Sequence, residues 1–182
     1  MFNACIARLL VISSLLDVHP YLSARRVPEM ERLIKTLYGS WSITITTEPS
    51  EEMPEGGKGQ GEEVWKGGPG GLSLIEEYNS TGGEGNISGL GVFWWDKEAA
   101  RFQVTWCDST TSTGCSQMAS GASWEGDDLV LGNEWKQKER RFVFKEVFSE
   151  ITEDTFTQKL YQGESGNHLK LLATIYATRK RV

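Results

Sequence analysis

Asp108 ends the run Phe102-Gln103-Val104-Thr105-Trp106-Cys107-Asp108, in which residue character alternates. In a strand that alternation puts Phe102, Val104, Trp106 and Asp108 on one face. A carboxylate at the end of an aromatic face can receive a polar group of a molecule held there. It can equally cap the following turn by accepting the N–H groups of Thr110 or Thr111. Two other segments show the same habit. Asn133 shares a face with Leu129, Leu131 and Trp135, and Glu146 with Phe142, Phe144 and Phe148. A packed apolar interior holds unpartnered polar groups only at a cost. These three therefore either reach solvent at strand ends or line a polar-walled cavity. Tyr78, Trp94 and Tyr161 join Trp106 and Trp135 as candidate lining for a small apolar or amphipathic ligand, with Asp108 as its orienting group.

Other chemistry has less support. Cys107 and Cys115 flank Asp-Ser-Thr-Thr-Ser-Thr-Gly, a hairpin connection, and cysteines on paired strands can meet disulfide geometry. Two free thiols are the alternative, and no Cys-x-x-Cys suggests redox catalysis. His168 follows Gly166-Asn167 and reads as a loop-edge residue, with haem ligation a minor alternative and no other cofactor indicated. No Gly-x-Ser-x-Gly elbow is present, so an enzyme would have to use Asp108, Ser109 and Tyr161, and the balance leans away from catalysis. Glu76 and Glu77 are adjacent, so in a strand they point to opposite faces. Gly67-Gly68-Pro69-Gly70-Gly71 lacks the Gly-Lys-Ser/Thr of a phosphate loop. The two histidines and three cysteines leave no zinc set, and no metal site is expected.

The elements that must position these groups are mostly strands. Val27–Tyr38 reads as a short helix, with Pro28 in its first turn and Met30, Leu33, Ile34 and Leu37 on one face. Gly39 is expected to end it. Trp41, Ile43 and Ile45 then alternate with Ser42, Thr44 and Thr46. The acidic, Gly- and Pro-rich stretch 48–61 reads as a loop. Strands are expected at 62–66, 71–79, 88–95, 101–108, 115–124, 128–135, 141–149, 155–162 and 169–178. Ten short strands in succession make an antiparallel meander, and closure into an up-and-down barrel removes its edges.

Residues 1–24 stand apart. Arg8, the apolar run Leu9–Leu16 and Ala24 suggest a signal peptide cut after Ala24 and a periplasmic or secreted product. A cytoplasmic N-terminal helix is the alternative. The run is too short to span a bilayer, which needs about 20 apolar residues. Residues 27–182 read as one barrel domain. The 182-residue chain carries 19 Lys plus Arg against 25 Asp plus Glu, a net charge of −6 with no basic stripe, which argues against a nucleic-acid partner. The Arg179-Lys180-Arg181 tail is too short to change that.

A helix followed by Gly39-Ser40-Trp41 resembles the Gly-x-Trp opening of lipocalins and related calycin barrels. There the tryptophan plugs one end beside a basic residue after the last strand, a part that Arg179 or Lys180 would play here. A longer pattern comprises Leu37–Trp41, Glu62–Gly68, Gly89–Asp96, Phe102–Ser109 and Gly121. In order and spacing it is similar to the bacterial lipocalin-like family known as domain of unknown function 1579, over roughly residues 28–180. Trp94-Trp95-Asp96 stands where that family has a Gly-Tyr-Asp turn, and Cys107 replaces an aliphatic residue. The resemblance implies a bacterial calycin-type barrel and no established reaction. The resulting expectation is a non-enzymatic barrel that binds a small ligand in its interior. The alternative is an interaction barrel with a filled interior and contact loops at 48–61 and 79–87.

Overall fold

Pro28 supplies a preset φ at the start of α1 (Pro28–Leu37), where its missing N–H costs nothing. Met30, Leu33 and Leu37 are fully buried along one stripe. The Tyr38 N–H still closes onto Ile34 O, and the chain leaves the helix there in extended conformation. Gly39 therefore opens the next element rather than ending the helix. The computed structural model describes residues 27–51, 53–83, 85–164 and 169–181. The expected signal peptide and His168 lie outside the described residues.

Ten strands follow: β1 (Gly39–Thr47), β2 (Gly57–Gly67), β3 (Ser73–Gly82), β4 (Ile87–Asp96) and β5 (Arg101–Asp108). Then come β6 (Cys115–Glu125), β7 (Asp128–Gln137), β8 (Arg140–Ser149), β9 (Thr155–Glu164) and β10 (Lys170–Arg179). Each pairs antiparallel with its neighbours in sequence, and β1 pairs with β10 from Trp41↔Arg179 to Thr47↔Ala173. The barrel is closed, so no strand edge is left to recruit another chain.

The expectation of a loop through residue 61 is corrected: β2 already begins at Gly57. Its first half alternates Gly57, Gly59 and Gly61 with Lys58, Gln60 and Glu62. A side chain at Gly59 would come within 2.9 Å of Thr81 O, and one at Gly61 would collide with Asn79 O. The glycines mark close approach of two strand backbones, a use of glycine that composition alone reads as loop.

Because the strands alternate in direction, each end of the barrel has a single character. At one end Trp41, Trp65, Leu74, Phe93, Phe102, Leu129, Phe148 and Phe156 are buried in a continuous plug. Trp41 meets Phe156 at 4.6 Å between centroids and Trp65 meets Phe93 at 5.3 Å. The apolar stripe of α1 joins this plug. Arg179 secures it. Its guanidinium lies 4.0 Å from the Trp41 ring centroid and donates to Tyr38 O, Thr36 O and Glu153 O. It thereby satisfies carbonyls at the C-terminal end of α1 that have no partner within the helix. Gly39 adopts φ +127°, and a Cβ there would sit 2.6 Å from Arg179 Nη1, so the Gly-x-Trp spacing makes room for this one cation. Lys180 instead reaches Glu62 on the outside.

The opposite end carries the connections 109–114 and 138–139, with the described residues that follow β1 and β3, and among the described residues no helix covers it. No helix among the described residues is long and apolar enough to cross a membrane.

Candidate ligand-binding cavity

Above the plug the barrel is hollow. A cavity of about 470 Å³ runs between the plug and the loop end. Its apolar wall includes Ile87, Val104, Met118, Leu131, Phe144, Leu160 and Ile175, with Tyr78, Trp106 and Trp135 adding aromatic faces with polar edges. Tyr78 meets the Trp106 indole edge-to-face at 6.0 Å. Trp135 stacks on Phe142, its partner across β7 and β8, with an interplanar angle of 18°.

Four of the six expected lining residues, Tyr78, Trp106, Asp108 and Trp135, are brought together here. Trp94 and Tyr161 are not. Their neighbours Phe93, Leu160 and Gln162 face the interior, so strand alternation turns Trp94 and Tyr161 outward. Aromatic type suggested these two positions, and parity excludes them.

Asp108 caps its turn. Oδ1 accepts from Thr110 N, Thr110 Oγ1 and Thr111 N, each at 2.7 Å. Oδ2 accepts from Thr111 Oγ1 at 2.6 Å and from Trp106 Nε1 at 2.9 Å. Desolvation opposes its ionisation, but the hydroxyl and N–H donors of Thr111 and Thr110 outweigh it and hold the pKa down at about 2. Five donors use the acceptor capacity of a carboxylate. In this arrangement Asp108 fixes the Trp106 ring in the wall and has little left for a ligand.

The Cys107–Cys115 disulfide lies in the same hairpin, joining two directly paired residues. Cys107 alternates with the inward Trp106, so the bond sits on the outer face, beside the mouth.

The free carboxylates lie deeper. Glu63 on β2, Glu76 on β3 and Glu146 on β8 each sit two residues from a member of the plug (Trp65, Leu74 and Phe148) and on the same face. Gln158 on β9 stands likewise two residues beyond Phe156. Together they form a polar layer between plug and cavity. Glu63 is fully buried, and its Oε2 accepts from Trp65 Nε1 at 3.0 Å. Glu76 is 5% exposed and Gln158 2%. Glu146 keeps some accessible surface, and that surface faces the cavity.

Burial raises all three glutamate pKa values. Glu63 is pushed up to about 7 by desolvation, partly offset by the hydrogen bond from Trp65 and by the nearby Gln158 amide. Glu146 is pushed up to about 8 by desolvation and by the charge of Glu63. Glu76 lies well above the ordinary carboxylate range, through desolvation and its neighbours Glu63 and Glu146. Desolvation, with these same glutamates nearby, pushes Tyr78 to about 12. Gly91, paired across from Glu76, leaves the space its carboxylate needs: a Cβ there would lie 2.8 Å from Glu76 Oε2. Gly89 gives the Trp106 ring its room in the same way.

No family model matches the chain, and no curated protein matches it. Solved structures do. The chain is similar to Rv2717c from M. tuberculosis, with a TM-score of 0.60 and 14% identity over 86% of this chain and 99% of that one. It is also similar to the S-type phycobiliprotein lyase CPES from Guillardia theta, with a TM-score of 0.49 and 10% identity over 85% and 94% of the two chains. A third is mFAP0, a redesigned β-barrel solved bound to DFHBI, with a TM-score of 0.42 and 16% identity over 79% and 99%. At 14% identity what the chain shares with Rv2717c is the fold.

Glu146 was visible in the sequence as an interruption of an aromatic face. Glu63 and Glu76 were missed, although Glu63 shares parity with Trp65, and Glu76 with Leu74 and Tyr78. The same parity test would have found both. Among the described residues no group of three His, Cys, Asp or Glu side chains is spaced to hold a metal ion.

Proposed function

We propose that this protein binds a small amphipathic molecule inside its barrel. The observation that carries the reading is the cavity itself. Its volume of about 470 Å³ falls within the roughly 300–1,000 Å³ usual for small-molecule sites. It is closed below by α1 and the aromatic plug, and polar side chains stand among apolar and aromatic ones around its wall. A filled interior, as an interaction barrel would have, leaves no such space. We further propose membership of the lipocalin-like family 1579. The helix, the Gly39-x-Trp41 opening and the Arg179 cation over Trp41 support it. Export to the periplasm or beyond is proposed on the N-terminal sequence and on the paired Cys107 and Cys115, whose bond an oxidising compartment would maintain.

The test is native mass spectrometry of protein purified from its own host, paired with titration by the neutral fluorophore N-phenyl-1-naphthylamine. A copurifying small molecule, or saturable 1:1 quenching of tryptophan fluorescence, is expected because Trp106 and Trp135 line the site. The absence of both a bound species and saturable quenching would count decisively against an interior binding role.

A further inference from the structure

We propose that the interior ligand carries a cationic nitrogen, an amine or amidine on an apolar or aromatic body, and that Glu76 and Glu146 receive it. This rests on the reading of the barrel as a small-molecule site and names the ligand's chemical class.

Three observations converge on it. The first is the acidic make-up of the wall. Glu76, Asp108 and Glu146 line the cavity, and among the described residues no Lys, Arg or His does. No salt bridge among the described residues engages Glu63, Glu76 or Glu146. The second is an excess of acceptors. Gln158, 2% exposed and facing the cavity floor, leaves Oε1 without a partner, and so does Glu63 at its own Oε1. Buried acceptors left unpaired are costly, and a ligand N–H would satisfy that of Gln158, which lines the cavity. The third is the accommodation of Glu76 by Gly91, whose missing side chain leaves the carboxylate its place beside the cavity. The acids do not have the spacing to chelate a metal ion. An organic cation, which can spread several N–H donors over separated acceptors, fits them instead.

The layout orients the ligand. The acidic layer lies at the floor, while Tyr78, Trp106 and Phe144 lie one step nearer the mouth, with Trp135 beyond them. The charged head enters first and the apolar body remains among the rings, whose faces also favour a cation.

The pH dependence follows from the groups that face the head. These are Glu76 and Tyr78 from β3 and Glu146 from β8, with Glu63 of β2 fully buried behind them and Asp108 of β5 nearer the mouth. The other strands contribute no titratable side chain to the wall among the described residues. Asp108 stays ionised and Tyr78 neutral across the working range. Glu63 and Glu146 lose protons as pH rises through about 7 and about 8, and Glu76 is held protonated well above the ordinary carboxylate range. A cation therefore binds more tightly with rising pH and expels protons on binding.

The experiment is calorimetric titration of the full chain with three probes sharing one apolar body: 4-phenylbutylamine, 4-phenylbutan-1-ol and 4-phenylbutyrate. At about pH 8 the amine is expected to bind at least about tenfold more tightly than the alcohol, with the carboxylate weakest. Amine affinity should increase from about pH 6 to about pH 9, where an alkylamine remains protonated. Glu76→Gln and Glu146→Gln, each checked for an intact fold by circular dichroism, should bring the amine down toward the alcohol. An amine that gains nothing over the alcohol overturns the cation assignment while leaving the interior site standing. That comparison needs only the unaltered protein. If none of the three binds and N-phenyl-1-naphthylamine is also refused, the cation assignment and the interior-site reading fail together.

Discussion

Three buried carboxyl groups make the stability of this protein depend on pH in an unusual direction. In the unfolded chain glutamates titrate near about 4.3. Folded, Glu63 holds its proton to about 7 and Glu146 to about 8, and Glu76 is raised as well. Between those limits the folded chain binds more protons than the unfolded chain, so stability falls as pH rises. Each carboxyl still protonated contributes about 1.4 kcal/mol of loss per pH unit. Urea unfolding at about pH 5 and about pH 8 should show the higher midpoint at the acid value. Glu76→Gln removes one buried charge without changing shape, so it should flatten the slope and raise stability at pH 8 by about 1 kcal/mol or more. A pH slope identical to that of the parent would show that Glu76 is not desolvated as described. The sequence made part of this layer legible. Glu146 stood out because aromatic residues surround it on one strand face. Glu63 and Glu76 did not, because the layer forms only when β2, β3, β8 and β9 close around it. Trp94 and Tyr161 were chosen for their chemistry, and their neighbours' claim on the interior turns them outward.

Arg179 ties α1 and the β8–β9 loop to the end of β10. It donates to Tyr38 O, Thr36 O and Glu153 O and covers the Trp41 ring. Arg179→Ala removes a cation–π contact and leaves carbonyls at the end of α1 unpartnered, so it should destabilise by about 2–3 kcal/mol. Urea unfolding checks this, and a loss below about 0.5 kcal/mol would mean that α1 docks without the arginine. The β5–β6 hairpin carries the second fastening. Reducing Cys107–Cys115 should lower stability by about 2 kcal/mol, as expected for so short a loop. Thermal melts with and without reductant measure that loss, and equal melting temperatures would contradict it. Strand count and helix position followed from period and turn chemistry, because each strand pairs with its sequence neighbours. The start of β2 did not. Its inward positions are glycines set by the approach of β3, a tertiary demand that composition presents as loop.

The described residues form a tube stopped at one end and uncovered at the other. The aromatic plug and α1 provide the stability of a packed core at one end, and among the described residues no element closes the loop end, where the proposed ligand would enter. An apolar wall standing over a layer of carboxyls is a poor design for stability alone, since packed apolar residues would serve better there. Its arrangement makes sense if the hollow is the working part. The most direct test compares N-phenyl-1-naphthylamine binding to the parent protein with binding to two tryptophan variants. Leu131→Trp fills the cavity from β7, whereas Tyr176→Trp enlarges a residue 48% exposed on the outer face. Saturable binding that is retained by Tyr176→Trp and lost in a folded Leu131→Trp is the predicted result. Equal binding by both variants would place the ligand outside the barrel and contradict the account.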